Sequence, residues 1–448
     1  MADVARVIAS LASRFGDRCS TRDADLDAAA HDASSEPAHR PEAVVWPLTT
    51  DDVVEIVRAC GDARVPLTPR GAGSSLEGNP IPVRGGVVLD CSRMTRVVAV
   101  RGADLQVDVE PGVVYTELNR QLRPHGLFFP PSPGGSADWA TVGGMVANNA
   151  SGIYSVKYGG TRDHVRAATV VTGAGTVLRL GNRARKSASG YHLLGLLIGS
   201  EGTLGVVTEL TLALAGLPVA RRRGGFVFAD AVAAASATAD AIGAGLDVAA
   251  IEFLDAATVA AIERVRHDGL AAAPTLLVEV HGSEAGVDET WRATDEVMRA
   301  SGGTPLALAE PWAIREQATR AIEAQRPDAR TVRADLAIPI GALPQLVAEC
   351  ERVAAAHGLV VHCFGHAGIG ILHALVLADD AGWTIAGRAR DALVERVLEL
   401  GGSCSGEHGM GTGNRRYAAR EHGDALALMQ GVKNLFDPHG ILKPGKMW

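Results

Sequence analysis

Three stretches of this chain are built from residues that let backbone amides do chemistry. The first is Pro69-Arg70-Gly71-Ala72-Gly73-Ser74-Ser75. Closely spaced glycines let successive N–H groups converge on one anion, and the two serine hydroxyls add donors. A diphosphate is the natural guest; for this segment alone, a plain surface loop is the alternative. The second stretch, FPPSPGGSADWATVGGMVANNASG, covers 129–152, and the third, KSASGYHLLGLLIGSEGTLGVVTE, covers 186–209. Turns alone do not account for three such loops within about 140 residues. Together they would line a long cleft with backbone donors, suited to an extended ligand with a pyrophosphate in its middle.

A second group of residues lies in the C-terminal half, in GHAGIGILH (365–373) and SGEHGMGTG (405–413). His366, His373 and Glu407 supply two imidazoles and a carboxylate. That set suits Zn²⁺ or another borderline divalent ion, with positions left open for a substrate. Taken alone, two histidines seven residues apart read first as core or surface histidines.

Other chemistry is weakened by what is missing. The first loop is not a G-x-G-x-x-G fingerprint, so a Rossmann dinucleotide site is not supported. Gly440–Lys446, GILKPGK, has the spacing of a Walker loop. No Ser or Thr follows its last lysine, and it reads as a chance match. The chain has 448 residues, enough for two domains, and 47 % of them are apolar. Its 51 acids against 43 bases give a net charge of −8, which argues against nucleic acid as a partner. The six cysteines are scattered without a C-x-x-C pair, so neither a disulfide framework nor an iron–sulfur site is expected. MADVARVIASLASRF reads as a short amphipathic helix and not as a signal peptide. No run of about 18 apolar residues could span a bilayer. The expected location is cytoplasmic, with peripheral contact at the inner membrane face left open.

The elements that must position these residues follow from periodicity. Residues up to about Pro47 read as helical and then irregular. Thr49 with Asp52 marks a helix start, followed by Val53, Ile56, Val57 and Cys60 at helical spacing. Short strands are expected at VVLD, VVAV and 105–110, a helix from Val113 to near Pro124, and loop throughout 129–160. Strands resume at 168–172 and 177–180, and VVTELTLAL follows the third glycine-rich stretch. From Pro218 strand and helix alternate: GFVFA, 232–242, VAAIEFL, 258–266, TLLVEVHG, 288–299, 312–325, 331–338 and 343–357. Two close strands, LVVHCFG and ILHALVL, follow. That rhythm predicts an α+β domain with an antiparallel sheet covered by helices.

The three glycine-rich segments resemble the FAD-binding domain of the vanillyl-alcohol-oxidase/PCMH flavoprotein superfamily. The branch they resemble most holds FAD-linked D-lactate dehydrogenases, glycolate oxidase catalytic subunits and D-2-hydroxyglutarate dehydrogenases. The patterns P-x-G-x-G-[TS]-S-L-E-G, [TI]-x-G-G-M-x-A-x-N-A-S-G and G-S-E-G-T-L-G-[IV]-[IV]-T-E stand here nearly intact, and the likeness runs from about Pro41 to Trp448. APTLLVEVHGSEAGV and IEFLD look most like the D-lactate dehydrogenases. The resemblance implies an α+β fold: an N-terminal helical segment 1–40, a PCMH-type FAD-binding domain 41–217 made of two α+β subdomains, and an α+β cap or substrate domain 218–448 with an antiparallel sheet.

It also implies roles. Pro69 and Arg70–Ser75 would hold the FAD diphosphate. Pro133, Gly134, Thr141, Gly143, Gly144, Asn148, Ser151 and Gly152 would line the flavin and ribityl chain. Glu201, Gly202, Gly205 and Val207 would lie near the adenine side. The first loop has no His or Cys, so the FAD is expected to be non-covalent. His366, His373 and Glu407 match the family's metal ligands, for zinc or manganese, and a hydroxy acid could chelate such an ion. His408 matches the general base that takes the hydroxyl proton while hydride passes to flavin N5. Arg315 falls where relatives pair an arginine with the substrate carboxylate; without the resemblance it reads as a solvated helix residue.

Two departures matter. The family's G-D-G-N reads Gly368-Ile369-Gly370-Ile371 here, so both polar side chains between the metal histidines are gone. Arg333 stands where D-lactate dehydrogenases carry a small or apolar residue and D-2-hydroxyglutarate dehydrogenases a lysine. It is expected to widen the positive pocket for a more acidic acid. The implied activity is oxidation of a D-2-hydroxy acid, D-lactate-like or more acidic, to the 2-oxo acid. Electrons would pass to an external acceptor: a quinone, a cytochrome or an electron-transfer flavoprotein. A homodimer stays open. The alternatives are a degenerate flavin-binding subunit of a glycolate-oxidase-like complex and a sugar-acid oxidase.

Overall fold

The computed structural model describes residues 2–308 and 310–448, so Met1 of the expected N-terminal helix lies outside the described residues. The chain divides into two compact units. The first holds Met1–Ser151, Gly159–Leu217 and Glu407–Trp448; the second holds Gly152–Tyr158 and Pro218–Gly406. The sequence division at 217/218 is contiguous, whereas these units exchange two segments.

In the first unit, the helix Ala2–Phe15 buries Val7, Leu11 and Phe15 on one face against the helix Thr50–Asp62 and its sheet. The second helix begins where the sequence places it. The Thr49 side chain accepts from Asp52 N at 3.1 Å, and Asp52 in turn accepts from Leu48 N at 2.9 Å. Its apolar stripe, Val53, Ile56, Val57 and Cys60, is fully buried. Each Val or Ile there contributes about 1.5–3 kcal/mol by leaving water.

The sheet beneath has four strands in the order Cys19–Ser20, Ala43–Val45, Val87–Asp90, Leu67–Arg70. The first pair is antiparallel and the other two are parallel. The segment before Pro47 therefore contains two strands that the sequence reading leaves irregular; at two and three residues they are too short to show a period. A second, five-stranded antiparallel sheet has the order Val97–Arg101, Gln106–Val109, Val206–Ala213, Val165–Val171, Val177–Gly181. Its core gathers Phe129, Met145, Leu197 and Leu210.

The stretch 129–160 is not loop throughout. Val142–Asn148 is a helix, capped by Thr141, and Ser155–Tyr158 is a single helical turn. Two adjacent glycines hid the longer helix, because glycine is about 1 kcal/mol worse than alanine in a helix interior. Gly143 is required there. Its N–H bonds Pro111 O at 2.8 Å, and a Cβ would lie 2.5 Å from Pro111 Cβ.

The second unit is a seven-stranded antiparallel sheet, in the order Thr304–Leu306, Ala220–Val227, Thr275–Gly282, Val248–Leu254, His362–Gly365, Ile371–Ala378, Arg330–Ala337. Helices Ala256–Arg266 and Pro311–Glu323 cover one face around Leu254, Leu277, Trp312, Ile322 and Phe364. Among the described residues no helix is long and apolar enough to cross a membrane.

Candidate functional site

A cleft in the first unit encloses roughly 1220 Å³, part of it open to solvent. Three chain segments form much of its wall: the loop after strand Leu67–Arg70, the helix Val142–Asn148 with its approach, and the turn 200–205 with the start of strand Val206–Ala213. Pro69, Arg70, Gly71, Ala72, Gly73, Ser74 and Ser75 all line it. So do Pro133, Thr141, Gly143, Gly144, Asn148, Glu201, Gly202, Gly205 and Val207. Gly134, Ser151 and Gly152 are not on its wall; Gly152 belongs to the second unit.

The walls are close-set backbone, as a cradle for an extended anion needs. A Cβ on Gly71 would lie 2.4 Å from Thr141 Oγ1, so any side chain there would meet the facing segment. Arg70 folds back against the loop it precedes, its guanidinium filling the space where a side chain on Gly73 would stand. Its guanidinium donates to the carbonyls of Ala28 at 3.2 Å and His31 at 2.7 Å. Burial holds its pKa below the usual arginine range.

Glu201 is buried, with φ +54°, and its carboxylate accepts from Asn79 Nδ2 and from the N–H groups of Met410 and Gly411. Burial pushes its pKa up, against those donors and the neighbouring Lys443. These bonds tie the segment after Glu407-His408 to the turn 200–205. Glu407 and His408 line the same cleft. Ser151 Oγ donates to Glu407 at 2.7 Å, and Asn148 Nδ2 donates to His408 O at 3.0 Å. Sequence reasoning missed Asn79 and Lys443 as lining residues. Lys443 was discounted with the Walker-like spacing, and Asn79 has no signal beyond its place after the first loop.

The second unit brings together the two histidines, Arg315 and a carboxylate that sequence reasoning did not single out. His366 follows strand His362–Gly365 and His373 lies in strand Ile371–Ala378. Their rings stand edge to face with centroids 5.4 Å apart. Gly370, with φ +73°, makes the turn between them; a Cβ would lie 2.1 Å from Ile338 O. Ile371, in place of the family's Asn, is buried at 4 % exposure, and a Cβ on Gly406 would lie 3.0 Å from its Cγ1. At this turn Ile371 contributes packing and no polar atom.

Glu252, fully buried on strand Val248–Leu254, lies 2.8 Å from His366 Nδ1. Its other oxygen accepts from Arg315 Nε at 2.6 Å. Arg315 also lies over the Phe364 ring at 4.8 Å, so it is a fixed side chain rather than a solvated one. Asp335 Oδ1 lies 3.3 Å from His373 Nδ1. Arg333, two residues before Asp335 on the same sheet face, forms an ion pair with Glu323 of the helix Pro311–Glu323.

A cleft of close-set glycines and serines at the carboxyl end of a parallel strand pair, followed by a helix-covered antiparallel sheet, suits an extended diphosphate-bearing cofactor, and two family models make that cofactor FAD. Residues 41–181 match the model of the FAD binding domain, and residues 217–447 match that of the C-terminal domain of FAD linked oxidases. The chain belongs to the FAD-linked oxidase family and is an FAD-linked oxidoreductase. It is 35 % identical to a probable mitochondrial D-lactate dehydrogenase of Danio rerio, over all of this chain and 92 % of that protein. It is 36 % identical to a mitochondrial D-lactate dehydrogenase (cytochrome) of Arabidopsis thaliana, over 91 % of this chain and 73 % of the other. It is also 33 % identical to glycolate oxidase subunit GlcD of Bacillus subtilis, over 93 % and 91 %. Among solved structures, p-cresol methylhydroxylase with substrate bound superposes with a TM-score of 0.82 at 18 % identity, covering 100 % of this chain and 97 % of that one. That likeness shows the fold.

Proposed function

We propose that this protein oxidises a D-2-hydroxy acid to the 2-oxo acid and passes the electrons to an external acceptor: a quinone, a cytochrome or an electron-transfer flavoprotein. One observation carries the reading. Arg315 and His366 are held by the two oxygens of one buried carboxylate, Glu252, in a chain whose relatives include D-lactate dehydrogenases. An arginine fixed at Nε keeps its outer edge for a planar carboxylate, the group every 2-hydroxy acid carries.

FAD, when bound, supplies the hydride acceptor. The close-set walls at Gly71 and Gly143 fit that cofactor, since no side chain could be added to them without displacing the facing backbone or cap. The metal ligands in this reading are His366, His373 and Glu407. The two imidazoles face one another within the second unit, and Glu407 enters through the match of Glu407-His408-Gly409 to the family's E-H-G. A divalent ion there, zinc or manganese, would supply a Lewis acid for the hydroxyl oxygen. His408 takes the hydroxyl proton, a task suited to an imidazole near neutral pH. Arg315 binds the carboxylate and orients the carbon that loses hydride.

Arg333 decides which acid comes first. Its charge is already matched by Glu323. A second substrate carboxylate would have to compete with that partner, so a small monocarboxylate such as D-lactate leads. A dicarboxylate is the second reading, favoured by Arg333 lying on the sheet face that carries His373.

The test is an anaerobic flavin spectrum. The yellow holoprotein should bleach on addition of D-lactate, and metal analysis of the same sample should find a divalent ion. A yellow protein without metal that bleaches with no member of a D-2-hydroxy-acid panel would instead identify a flavin-binding subunit without this activity.

A further inference from the structure

The tail Gly440–Lys446 runs along the open edge of the strand that leads into the first glycine-rich loop. Leu67 N donates to Ile441 O at 2.8 Å and Lys443 N to Leu67 O at 2.9 Å, with a parallel bridge between Leu67 and Leu442. Two further contacts pin this stretch: Lys433 Nζ donates to Leu442 O at 2.9 Å, and Asp437 Oδ2 accepts from Leu442 N at 2.8 Å. Lys443 itself takes φ +46°, a conformation that residues other than glycine rarely adopt and that the surrounding bonds impose.

The side chain so placed enters the cleft. Lys443 is 7 % exposed and lines the wall beside Pro69 and Gly202. Its Cε and Nζ lie 3.5 and 3.7 Å from where a Cβ on Gly202 would stand, and Pro69 Cβ lies 3.5 Å from the same point. Among the described residues nothing accepts a hydrogen bond from its ammonium. The nearby carboxylate, Glu201, gives its oxygens to Asn79, Met410 and Gly411. Arg70, the one cation of Pro69–Ser75, lies against Gly73 and is tethered by the carbonyls of Ala28, Ala29 and His31. Beside the loop's backbone N–H groups and its tethered guanidinium stands a second cation, a buried ammonium without an acceptor.

We propose that Lys443 is the cation for the FAD diphosphate, completing with its charge the cradle that Gly71–Ser75 forms with backbone amides. A buried ammonium is costly unless paired, and a dianion within reach would offset that cost. The inference depends on the family's FAD site and not on which acid is oxidised. Burial already brings the Lys443 pKa down to about 7. Glu201 and Asp32 act to raise it, while Lys446 and Arg70 lower it further. The buried Cys91 thiol also lies near. Binding the diphosphate favours the charged ammonium, so the site must take up a proton when FAD enters at a pH above that value.

The experiment strips FAD from the wild type, Lys443→Met and Lys443→Arg, then titrates each with FAD and with riboflavin, which has no diphosphate. Expected is a loss of about tenfold or more in FAD affinity for Lys443→Met, little change for riboflavin, and most of the affinity kept by Lys443→Arg. Calorimetry near pH 8, in buffers of different ionisation enthalpy, should show proton uptake on FAD binding that is smaller in Lys443→Met. Unchanged FAD affinity overturns the proposal. So does an equal loss for FAD and riboflavin, which would mark Lys443 as a wall residue or a partner of the flavin ring. Should Lys443→Met fail to fold, FAD release from the holoproteins of Lys443→Gln and Lys443→Arg decides. Faster release from the glutamine variant supports the assignment, and equal rates overturn it.

Discussion

His366 Nδ1 and Glu252 Oε1 lie 2.8 Å apart, and the same carboxylate holds Arg315 through Oε2 at 2.6 Å. One buried side chain therefore sets the orientation of an imidazole and of a guanidinium at once. A histidine that gives Nδ1 to a carboxylate presents Nε2 to a metal, and such partners commonly change metal affinity 10–100-fold, roughly, when removed. Glu252→Gln is expected to weaken Zn²⁺ or Mn²⁺ binding, measured by chelator competition, by about tenfold or more. The KM for the hydroxy acid should rise with it, because Arg315 loses its anchor. Metal affinity equal to the wild type in a folded Glu252→Gln protein would contradict this role.

The close approach of Gly143 to Pro111 carries a second prediction. A Cβ at 143 would lie 2.5 Å from Pro111 Cβ and 2.9 Å from Pro111 O, and both belong to backbone or a rigid ring. The helix Val142–Asn148 must then move off the turn at Pro111, at about 1–3 kcal/mol. That helix forms part of the cleft wall, so Gly143→Ala should purify with less FAD per chain and melt at lower temperature. Full flavin content with an unchanged melting temperature would show that the wall gives way more easily than the contact implies.

These two sites were unequally legible in the sequence. The glycine and serine stretches announced the cleft because backbone chemistry leaves a compositional mark: 71, 73, 143, 202 and 205 each meet a close neighbour or take a positive φ that favours glycine. Glu252 left no such mark. It sits at one position in VAAIEFL, an apolar run whose other residues face the core, and only pairing with strand His362–Gly365 brings it to His366. The far C-terminal segment is expected to return to the flavin, and Glu407–Trp448 does join the first unit, but no local pattern marks the edge it joins, since the bond from Lys443 N to Leu67 O spans most of the chain. Local periodicity reports which face of an element is apolar, not which distant edge it will join.

Asp255 gives a pH-dependent prediction. Its carboxylate caps the helix Ala256–Arg266 by accepting from Thr258 N at 2.7 Å. Burial nevertheless raises its pKa to about 6, outweighing the bonds from Thr258. A carboxyl whose pKa is higher in the folded than in the unfolded chain binds its proton more tightly when folded. Its stabilising contribution is full below about pH 4, the unfolded value, and is lost as pH rises through about 6. Asn keeps the cap without the charge. Asp255→Asn should therefore melt at least about 2 °C above the wild type near pH 8, with the gap closing below about pH 5. A variant less stable than the wild type at both ends of that range would show that the charged cap outweighs its desolvation.

The ion pair between Arg333 and Glu323 governs which acid the proposed site prefers. While Glu323 matches the charge, a second substrate carboxylate gains little from Arg333, and D-lactate should be turned over with a higher kcat/KM than D-malate or D-2-hydroxyglutarate. Glu323→Gln removes the carboxylate that competes with the substrate for Arg333, so the ratio should shift toward the dicarboxylates by about tenfold. Arg333→Ala should leave D-lactate turnover within about threefold, the scale of a side chain that does not touch the substrate. The two variants separate the readings. If Arg333→Ala abolishes dicarboxylate turnover in an enzyme that already prefers it, then Arg333 serves the substrate directly and its bond to Glu323 is broken when the acid binds.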